Sequence, residues 1–435
     1  MAKIPKKIAF PNKPEDEMII GAYVEPLLAG PYVKNGLDVT LDEAFDDLKE
    51  SGCNTIFQTE SKLHVWGFRH NKLMFEHAAK RGLTFLPRDG ALIDDNNRPI
   101  IRDYEEAKEY IRFYETFEKY SSFGGVHYVD EPGYKDWESF AKVQKAFKEK
   151  YPDKLFYINL LQVYAPTWAF TNGPVYLPSD PEWKKVDPDY NKYYQSFMDE
   201  VNPEIFSYDH YPIRDAYPYV EDDYFLQLHL SKMYAEQTNI PIFAYMQTGS
   251  WGDRTRTPKE AELRWQVNCA IAYNTKHIGW YTYWAPNNDH RGMFVDVHGN
   301  RTHQYFWCQQ INKELAFQDE YFLNAGFNGY IQVGDMPSDE MPVEEDRLQS
   351  FGKLKEISGG NLFIGCFDYI RDGKKYNMYY VVNNDIVNEV HETIRFNSDI
   401  DYTFIYREDK KVAHGAEIAI DLTPGDACII IEEMC

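Results

Sequence analysis

Cysteine is scarce in this chain and follows no pattern that builds a site. Six cysteines are spread over 435 residues, with no Cys-x-x-Cys pair and no ligand-like spacing. This spacing argues against a disulfide framework and a zinc site, and we expect buried thiols in a reducing compartment. The pairs Asp209-His210 and Asp289-His290, and also His303, lack the i, i+4 spacing of helical ligands. Helix caps or ring contacts explain them more simply, so we expect no metal.

Long apolar runs and basic residues are also lacking. No stretch approaches the roughly 20 apolar residues that cross a bilayer, and the amino-terminal segment MAKIPKKIAFPNKPEDE has no apolar signal core. We therefore expect a cytoplasmic protein, or a secreted or periplasmic one if a signal peptide has been removed. Lys and Arg number 46 against 69 Asp and Glu, a net charge of −23. Such a chain has no electrostatic reason to bind nucleic acid or an anionic membrane.

Aromatic residues, by contrast, are abundant. They make up 16% of the chain, with 34 Tyr and 9 Trp. One interpretation is a tyrosine-rich core and surface. The other is a set of stacking and hydrogen-bonding surfaces for a polar, ring-shaped ligand such as a sugar. Composition leaves both interpretations open.

Short apolar runs alternate with helical patterns eight times between Met18 and Phe317. Thr40 and Glu43 form a capping box, which predicts that the first helix begins at Leu41. Each parallel strand pair needs a crossover helix, so eight such alternations predict a (β/α)₈ barrel over residues 1–325.

The pattern changes after the barrel. Short alternating runs separated by turn residues such as Asp372-Gly373 predict an antiparallel β-sandwich accessory domain over residues 326–435. The predicted fold class is therefore α/β, a TIM barrel followed by a C-terminal antiparallel β-sandwich.

The most informative stretch is GGVHYVDEPG, residues 124–133. Val126–Val129 is typical of a buried parallel strand, and it ends in Asp130, Glu131 and Pro132, since proline cannot continue a central strand. Two carboxylates at the carboxyl end of a barrel strand are candidates for acid and base catalysis. The alternative is an Asp that caps the next helix beside a solvated Glu.

Polar and aromatic residues follow the other predicted strands as well. Chemistry in such barrels occurs at the carboxyl ends of the strands, so these residues are expected to face one site. Carboxylates and aromatics together, without a phosphate-binding glycine loop or a strand-end Lys, favour glycosidic chemistry without a cofactor. The candidate catalytic residues are Glu131, Asp209 and Asp130, and the candidate substrate-binding residues are Trp284, Gln247, Tyr211, His210, Asn159, Glu60 and Trp251.

Four of these features resemble a known clan. They are Asp-Glu-Pro at residues 130–132, Tyr-Asp-His-Tyr-Pro at residues 208–212, Gln247, and Tyr-Trp at residues 283–284. They are similar to the (β/α)₈ glycoside hydrolases that include family 5 cellulases and family 42 β-galactosidases. The resemblance covers the barrel and implies a carbohydrate substrate, Glu131 as general acid/base and Trp284 as a sugar-stacking platform. Family 42-like barrels often associate, so a homo-oligomer is left open.

The sequence departs from that clan at two positions. The clan's nucleophile is a Glu on strand seven, where this chain has Gln247, and the Asn before the acid/base is here Asp130. Three hypotheses follow. Asp209 or another strand-end carboxylate takes the second catalytic role; or Asp130 and Glu131 act as in substrate-assisted family 20 N-acetylhexosaminidases; or the barrel binds a carbohydrate without hydrolysing it.

Overall fold

The computed structural model of the protein describes residues 2–10, 12–26, 39–58, 68–88, 101, 103–166, 169–170, 189–214, 217–218, 220–252, 255–336 and 343–433. Eight parallel strands come first: β1 (Ile20–Tyr23), β2 (Thr55–Phe57), β3 (Thr84–Leu86), β4 (Gly125–Asp130), β5 (Leu155–Asn159), β6 (Phe206–Asp209), β7 (Ile242–Gln247) and β8 (Thr275–Tyr281). The helices are α1 (Leu41–Glu50), α2 (Phe68–Lys80), α3 (Tyr104–Ile111), α4 (Trp137–Lys150), α5 (Asp189–Ser196), α6 (Tyr224–Thr238), α7 (Glu260–Ala272) and α8 (His303–Leu323).

The eight strands form a closed ring in chain order. Six of them lie in the order β3-β2-β1-β8-β7-β6, and β4 pairs with β5. Isolated parallel bridges join the two groups, Phe85 with Phe123 and Arg88 with His127 on one side and Leu160 with Tyr208 on the other. The predicted (β/α)₈ barrel is confirmed.

The first helix begins at the residue that the sequence predicts, because a capping box forms there. The Thr40 hydroxyl accepts the Glu43 backbone N–H at 3.3 Å, and the Glu43 carboxylate accepts the Thr40 backbone N–H at 2.7 Å. This capping box satisfies two amide groups that have no partner inside the helix. α1 therefore begins at Leu41 and buries Phe45 and Leu48 against the barrel.

Aromatic rings fill the barrel interior because neighbouring strands carry glycine. The Phe57 ring centroid lies 4.6 Å from that of Tyr157 and 5.1 Å from that of Phe243. A Cβ added to Gly21 would lie 2.8 Å from the Phe57 ring, and one added to Gly279 would lie 2.5 Å from the Tyr245 ring. The missing side chains on β1 and β8 thus make room for the rings, as alternating large and small residues do in packed barrels.

The C-terminal strands form one antiparallel sheet of seven: β9 (Ala325–Val333), β10 (Leu354–Ile357), β11 (Leu362–Arg371), β12 (Lys374–Asn383), β13 (Val390–Tyr406), β14 (Asp409–Leu422) and β15 (Ala427–Glu433). The first part of β13 pairs with β10 and its second part with β15, which wraps the sheet around a core of its own. The barrel followed by a β-sandwich-like domain confirms the predicted fold class.

The other face of this sheet packs on α7. The Trp265 indole N–H donates to Asn384 Oδ1 at 2.7 Å, and the Tyr380 hydroxyl donates to Asn268 Oδ1 at 2.7 Å. Asn268 Nδ2 in turn donates to the Gly425 carbonyl at 2.8 Å. The polar groups of α7 thereby find hydrogen-bond partners within the interface, so the barrel and the sheet can bury this surface against each other.

The cysteines that the structure describes are buried free thiols, as the sequence analysis expected. Cys53, Cys269, Cys308, Cys366 and Cys428 are buried and unpaired. Over the ranges given above, no helix combines the length and the apolar character that crossing a bilayer requires.

We predict that the sheet stabilises the barrel through Tyr380. Tyr380→Phe leaves the buried Asn268 oxygen without its donor, which costs about 1–3 kcal/mol. We expect thermal unfolding at a lower temperature. Tyr283→Phe removes a buried hydroxyl that makes no hydrogen bond to the described residues, so it is the matched control and should unfold as the wild type does. Equal melting temperatures for all three proteins would contradict the prediction.

Candidate active site

A cavity of about 760 Å³ opens at the carboxyl ends of the barrel strands. This is the position at which TIM-barrel enzymes carry their active sites. Three carboxylic acids and a set of aromatic rings share the cavity. Its lining consists of Tyr23, Asp130, Glu131, Asn159, Gln162, Tyr164, Ala165, Pro166, Asp209, Tyr211, Arg214, Tyr245, Trp251, Gly252, Thr255, Tyr281 and His290.

The three acids reach the cavity from two strands. Asp130 is the last residue of β4 and Asp209 the last residue of β6. Glu131 follows with a φ of 50°, a left-handed conformation that is uncommon for residues other than glycine. Its backbone N–H donates to the Asn159 carbonyl at 2.9 Å, which holds this turn in place. The turn lets two consecutive residues both reach the cavity.

Asn159 connects the two aspartates. Its Nδ2 donates to Asp130 Oδ1 at 3.1 Å and to Asp209 Oδ1 at 2.9 Å. The two N–H bonds of an amide diverge by about 120°, which puts these two oxygens about 5 Å apart. Asn159 Oδ1 accepts the Ser207 hydroxyl at 2.9 Å, and this contact fixes the orientation of the amide. The separation is that of the two carboxyl groups in retaining glycosidases, about 5–5.5 Å.

Glu131 and Asp209 lie within hydrogen-bond reach of each other. Burial and the charges of Asp209 and Asp130 raise the pKa of Glu131 well above its usual range. Burial and the Asp130 charge raise the pKa of Asp209 to about 7, although hydrogen bonds from Asn159 and Glu131 act in the opposite direction. A proton shared by this pair is therefore present at neutral pH.

Asp130 has different contacts. The Tyr23 hydroxyl donates to its Oδ2 at 2.6 Å, while Asn159 donates to its Oδ1. Hydrogen bonds to both oxygens fix the plane of this carboxyl group. Asp130 is thus the acid with neutral donors on both oxygens, whereas Asp209 and Glu131 contact one another.

Aromatic rings form one wall of the cavity. The Trp251 ring centroid lies 4.8 Å from that of Tyr211 and 4.8 Å from that of Tyr281, both in edge-to-face contacts. The His290 ring stacks on Trp251 with its centroid 6.2 Å away. Such a wall presents apolar faces and polar edges, as the recognition of a sugar ring requires.

The structure places Trp284 elsewhere. It was expected at the end of strand eight as a sugar platform, but β8 ends three residues earlier at Tyr281. Trp284 is 1% exposed, and its backbone forms a bridge with Val295. Tyr281 occupies the place in the cavity wall that Trp284 was expected to take. The expectation for Trp284 is wrong because the strand ends earlier than the sequence indicated.

Gln247 is also absent from the cavity lining. Its amide accepts the Ile213 N–H at 3.0 Å and donates to the carbonyls of Ile213, Gly249 and Arg256 at 2.8, 3.1 and 3.1 Å. All of its hydrogen-bonding capacity goes to the backbone of two loops. We therefore correct the expectation that Gln247 binds substrate: it is a buried clamp. A glutamate could not donate these bonds.

The remaining expectations divide as follows. Asn159, Tyr211 and Trp251 line the cavity, as do the three predicted catalytic acids. His210 does not line the cavity. It is 1% exposed, and its Nε2 lies 2.7 Å from Asp223 Oδ1, so it packs behind the lining residues. Glu60 lies outside the described residues.

Sequence reasoning missed several lining residues, among them Tyr164, Arg214, Tyr245 and His290. Tyr245 had a signal, since it alternates with Phe243 toward the interior of β7. Within the part of the chain that the structure describes, no group of three His, Cys, Asp or Glu side chains is arranged to hold a metal ion.

Comparison with solved structures supports the fold. A candidate α-galactosidase/melibiase from Bacteroides fragilis NCTC 9343 is 8% identical, with a TM-score of 0.53, over 96% of this chain and 79% of that one. A candidate α-galactosidase from the same organism is 7% identical, with a TM-score of 0.51, over 96% and 80%. A family 27 β-L-arabinopyranosidase from Geobacillus stearothermophilus, in complex with arabinose, is 9% identical, with a TM-score of 0.51, over 97% and 98%.

These TM-scores show a likeness of fold. At such low sequence identities, the family resemblance described in the sequence analysis remains a prediction. No protein-family profile matches the sequence, and no curated protein matches it significantly.

The raised pKa of Asp209 predicts a pH-dependent stability difference. The folded-state pKa of about 7 lies above the usual 3.8 of an aspartate, so this group stabilises the fold fully below pH 3.8, and that stabilisation is lost as the pH rises through 7. Asp209→Asn removes this dependence. We expect the melting temperature of the variant to rise relative to wild type by about 2–4 °C between pH 5 and pH 8.

The control for this measurement is Asp289→Asn, at an exposed aspartate of a neighbouring loop. Its melting temperature should follow that of the wild type at every pH. A difference between Asp209→Asn and wild type that stays constant with pH would refute the assignment.

Proposed function

We propose that the protein is a retaining glycoside hydrolase. Asp130 is the nucleophile, and the Glu131–Asp209 pair is the general acid/base. The observation that carries the proposal is the Asn159 amide, which bonds Asp130 and Asp209 and spaces their oxygens about 5 Å apart. An inverting enzyme needs about 6.5–9.5 Å between its two carboxyl groups, to leave room for a water molecule.

The reaction follows from the protonation of these groups. Asp130 attacks the anomeric carbon while the bond to the leaving oxygen breaks, and that oxygen takes the proton of the Glu131–Asp209 pair. Water then attacks the same carbon, gives a proton back to the pair, and Asp130 leaves. The sum is one glycoside and one water converted to a sugar and an alcohol. The aromatic wall around Trp251 would hold the sugar ring.

This arrangement accounts for the absent strand-seven glutamate. The nucleophile lies on β4 in this proposal, so Gln247 is free to serve as a loop clamp. The hypothesis of a binding-only barrel depended on Gln247 as the remnant of a nucleophile, and it loses that support. The three solved structures compared above are named as glycosidases, which agrees with the reaction class proposed for this chain.

The first test replaces the nucleophile. With a panel of 4-nitrophenyl glycosides that includes N-acetylhexosaminides, we expect Asp130→Ala to lower kcat/KM about 10³-fold or more on any substrate that the wild type cleaves. Added azide should restore turnover in this variant and give a glycosyl azide of inverted configuration, because azide fills the space of the carboxylate. NMR of the wild-type product should show retention.

Asp289→Asn is the control and should keep wild-type activity. An inverted wild-type product would contradict Asp130 as nucleophile. Cleavage confined to N-acetylhexosaminides, without azide rescue, would instead favour the substrate-assisted mechanism.

The second test concerns the acid proton. In Glu131→Gln, the pair loses the acid whose pKa burial and the charges of Asp209 and Asp130 raise well above its usual range, so Asp209, with a pKa raised to about 7, remains as its proton donor. We expect the alkaline limb of the pH–rate profile to move to lower pH, and kcat to fall about 10²–10³-fold on poor leaving groups. Activated 2,4-dinitrophenyl glycosides should lose much less, since they need no proton. A uniform loss for all leaving groups would argue against an acid role.

A further inference from the structure

A cation lines the acidic cavity. Arg214 follows β6 and lies in the lining, and its backbone forms a bridge with Thr255. Among the cavity-lining residues that the structure describes, it is the only Lys or Arg. Burial lowers the pKa of His290, the other basic residue there, so that histidine is neutral near pH 7. The mechanism proposed above does not use Arg214.

The guanidinium of Arg214 is held in a fixed plane. Its carbon lies 4.2 Å from the Tyr164 ring centroid, its Nε donates to the Tyr211 carbonyl at 3.1 Å, and the same Nε lies 3.6 Å from Glu221. The side chain is only 12% exposed. Stacking on an aromatic face and one anchored nitrogen leave little rotational freedom to a side chain that is otherwise flexible.

The two terminal nitrogens of Arg214 remain available. They make no hydrogen bond to any described residue, so their four N–H groups can donate to a ligand in the cavity. Such a planar fork matches the two oxygens of a carboxylate. A neutral sugar would not require this partly exposed cation, whose Nε lies 3.6 Å from a Glu221 carboxylate oxygen. An anionic sugar would require a cation, because the three acids that line the cavity would otherwise repel its charge.

We propose that Arg214 recognises the carboxylate of a uronic acid, which makes the substrate a uronide. The conclusion that the substrate is a uronide rests on the proposed glycosidase function. The binding of a uronate at Arg214 can be tested independently of that function. The carboxylate pairs with the terminal nitrogens of Arg214, while the anomeric carbon faces Asp130.

The test measures binding of monosaccharides to the intact protein by NMR titration. The probes are D-galacturonate, D-glucuronate and D-mannuronate, each beside its neutral hexose, together with galactose 6-sulfate. We expect one uronate to bind about 10- to 100-fold more tightly than its hexose. Arg214→Gln should abolish that difference, and Arg214→Lys should restore part of it because the charge returns without the planar fork.

Arg291→Gln is the matched control. Arg291 is an exposed arginine that follows the lining residue His290, and its loss changes the net charge equally. It should leave uronate binding unchanged. Melting temperatures of all variants establish that they are folded.

Three results would overturn the inference: hexose binding as tight as uronate binding, an uronate preference that Arg214→Gln retains, or tighter binding of the sulfate ester than of every uronate. Activity separates this inference from the proposed function. Wild-type cleavage of neutral aryl glycosides that is lost in Asp130→Ala would uphold the glycosidase while refuting the uronide. Uronate binding that is lost in Arg214→Gln, without cleavage of any glycoside, would uphold uronate recognition while refuting the glycosidase.

Discussion

The arrangement of the candidate site depends on one amide group. Asn159 holds Asp130 and Asp209 with a single nitrogen, and its oxygen is fixed by Ser207, which in turn contacts Tyr157 deeper in the barrel. This network links β4, β5 and β6 at the level where the strands end. An amide is suited to this position because it donates two diverging bonds and carries no charge of its own. It can hold two acids apart without neutralising either one.

The C-terminal sheet supports the same site indirectly. Gln266 of α7 accepts the Gln247 backbone N–H and donates to the Gln247 carbonyl, both at 2.8 Å, while the opposite side of α7 packs on the sheet. Gln247 then bonds the backbone of Ile213, next to Arg214, and of Gly249, near Trp251. The sheet contributes no lining residue among those described. The sheet holds α7 in position, and α7 in turn holds the loops of the cavity wall through Gln266 and Gln247.

Sequence reasoning was reliable where local chemistry or strand periodicity decides the outcome. The capping box at Thr40 located α1 to the residue, and the acids at the ends of β4 and β6 lie in one cavity as expected. It failed where a strand end or a loop contact decides. Trp284 and Gln247 lie within or just beyond strands, yet an early end of β8 and the loop carbonyls around Ile213 send both side chains into the interior. Arg214 had no signal, because only the fold brings a loop arginine to Tyr164.

The three acids impose a limit on how such a site can work. Three carboxylates so close in a buried cavity cannot all be ionised at little cost, so the cavity retains at least one proton at neutral pH. Burial and the neighbouring charges raise the pKa of both Glu131 and Asp209, and these two groups can share that proton directly. The asymmetry needed to separate a nucleophile from an acid is thus present before any substrate binds. A Glu at position 247 would put a buried carboxylate against the carbonyls of Ile213, Gly249 and Arg256, which gives a physical reason for an uncharged, hydrogen-bond-donating amide there.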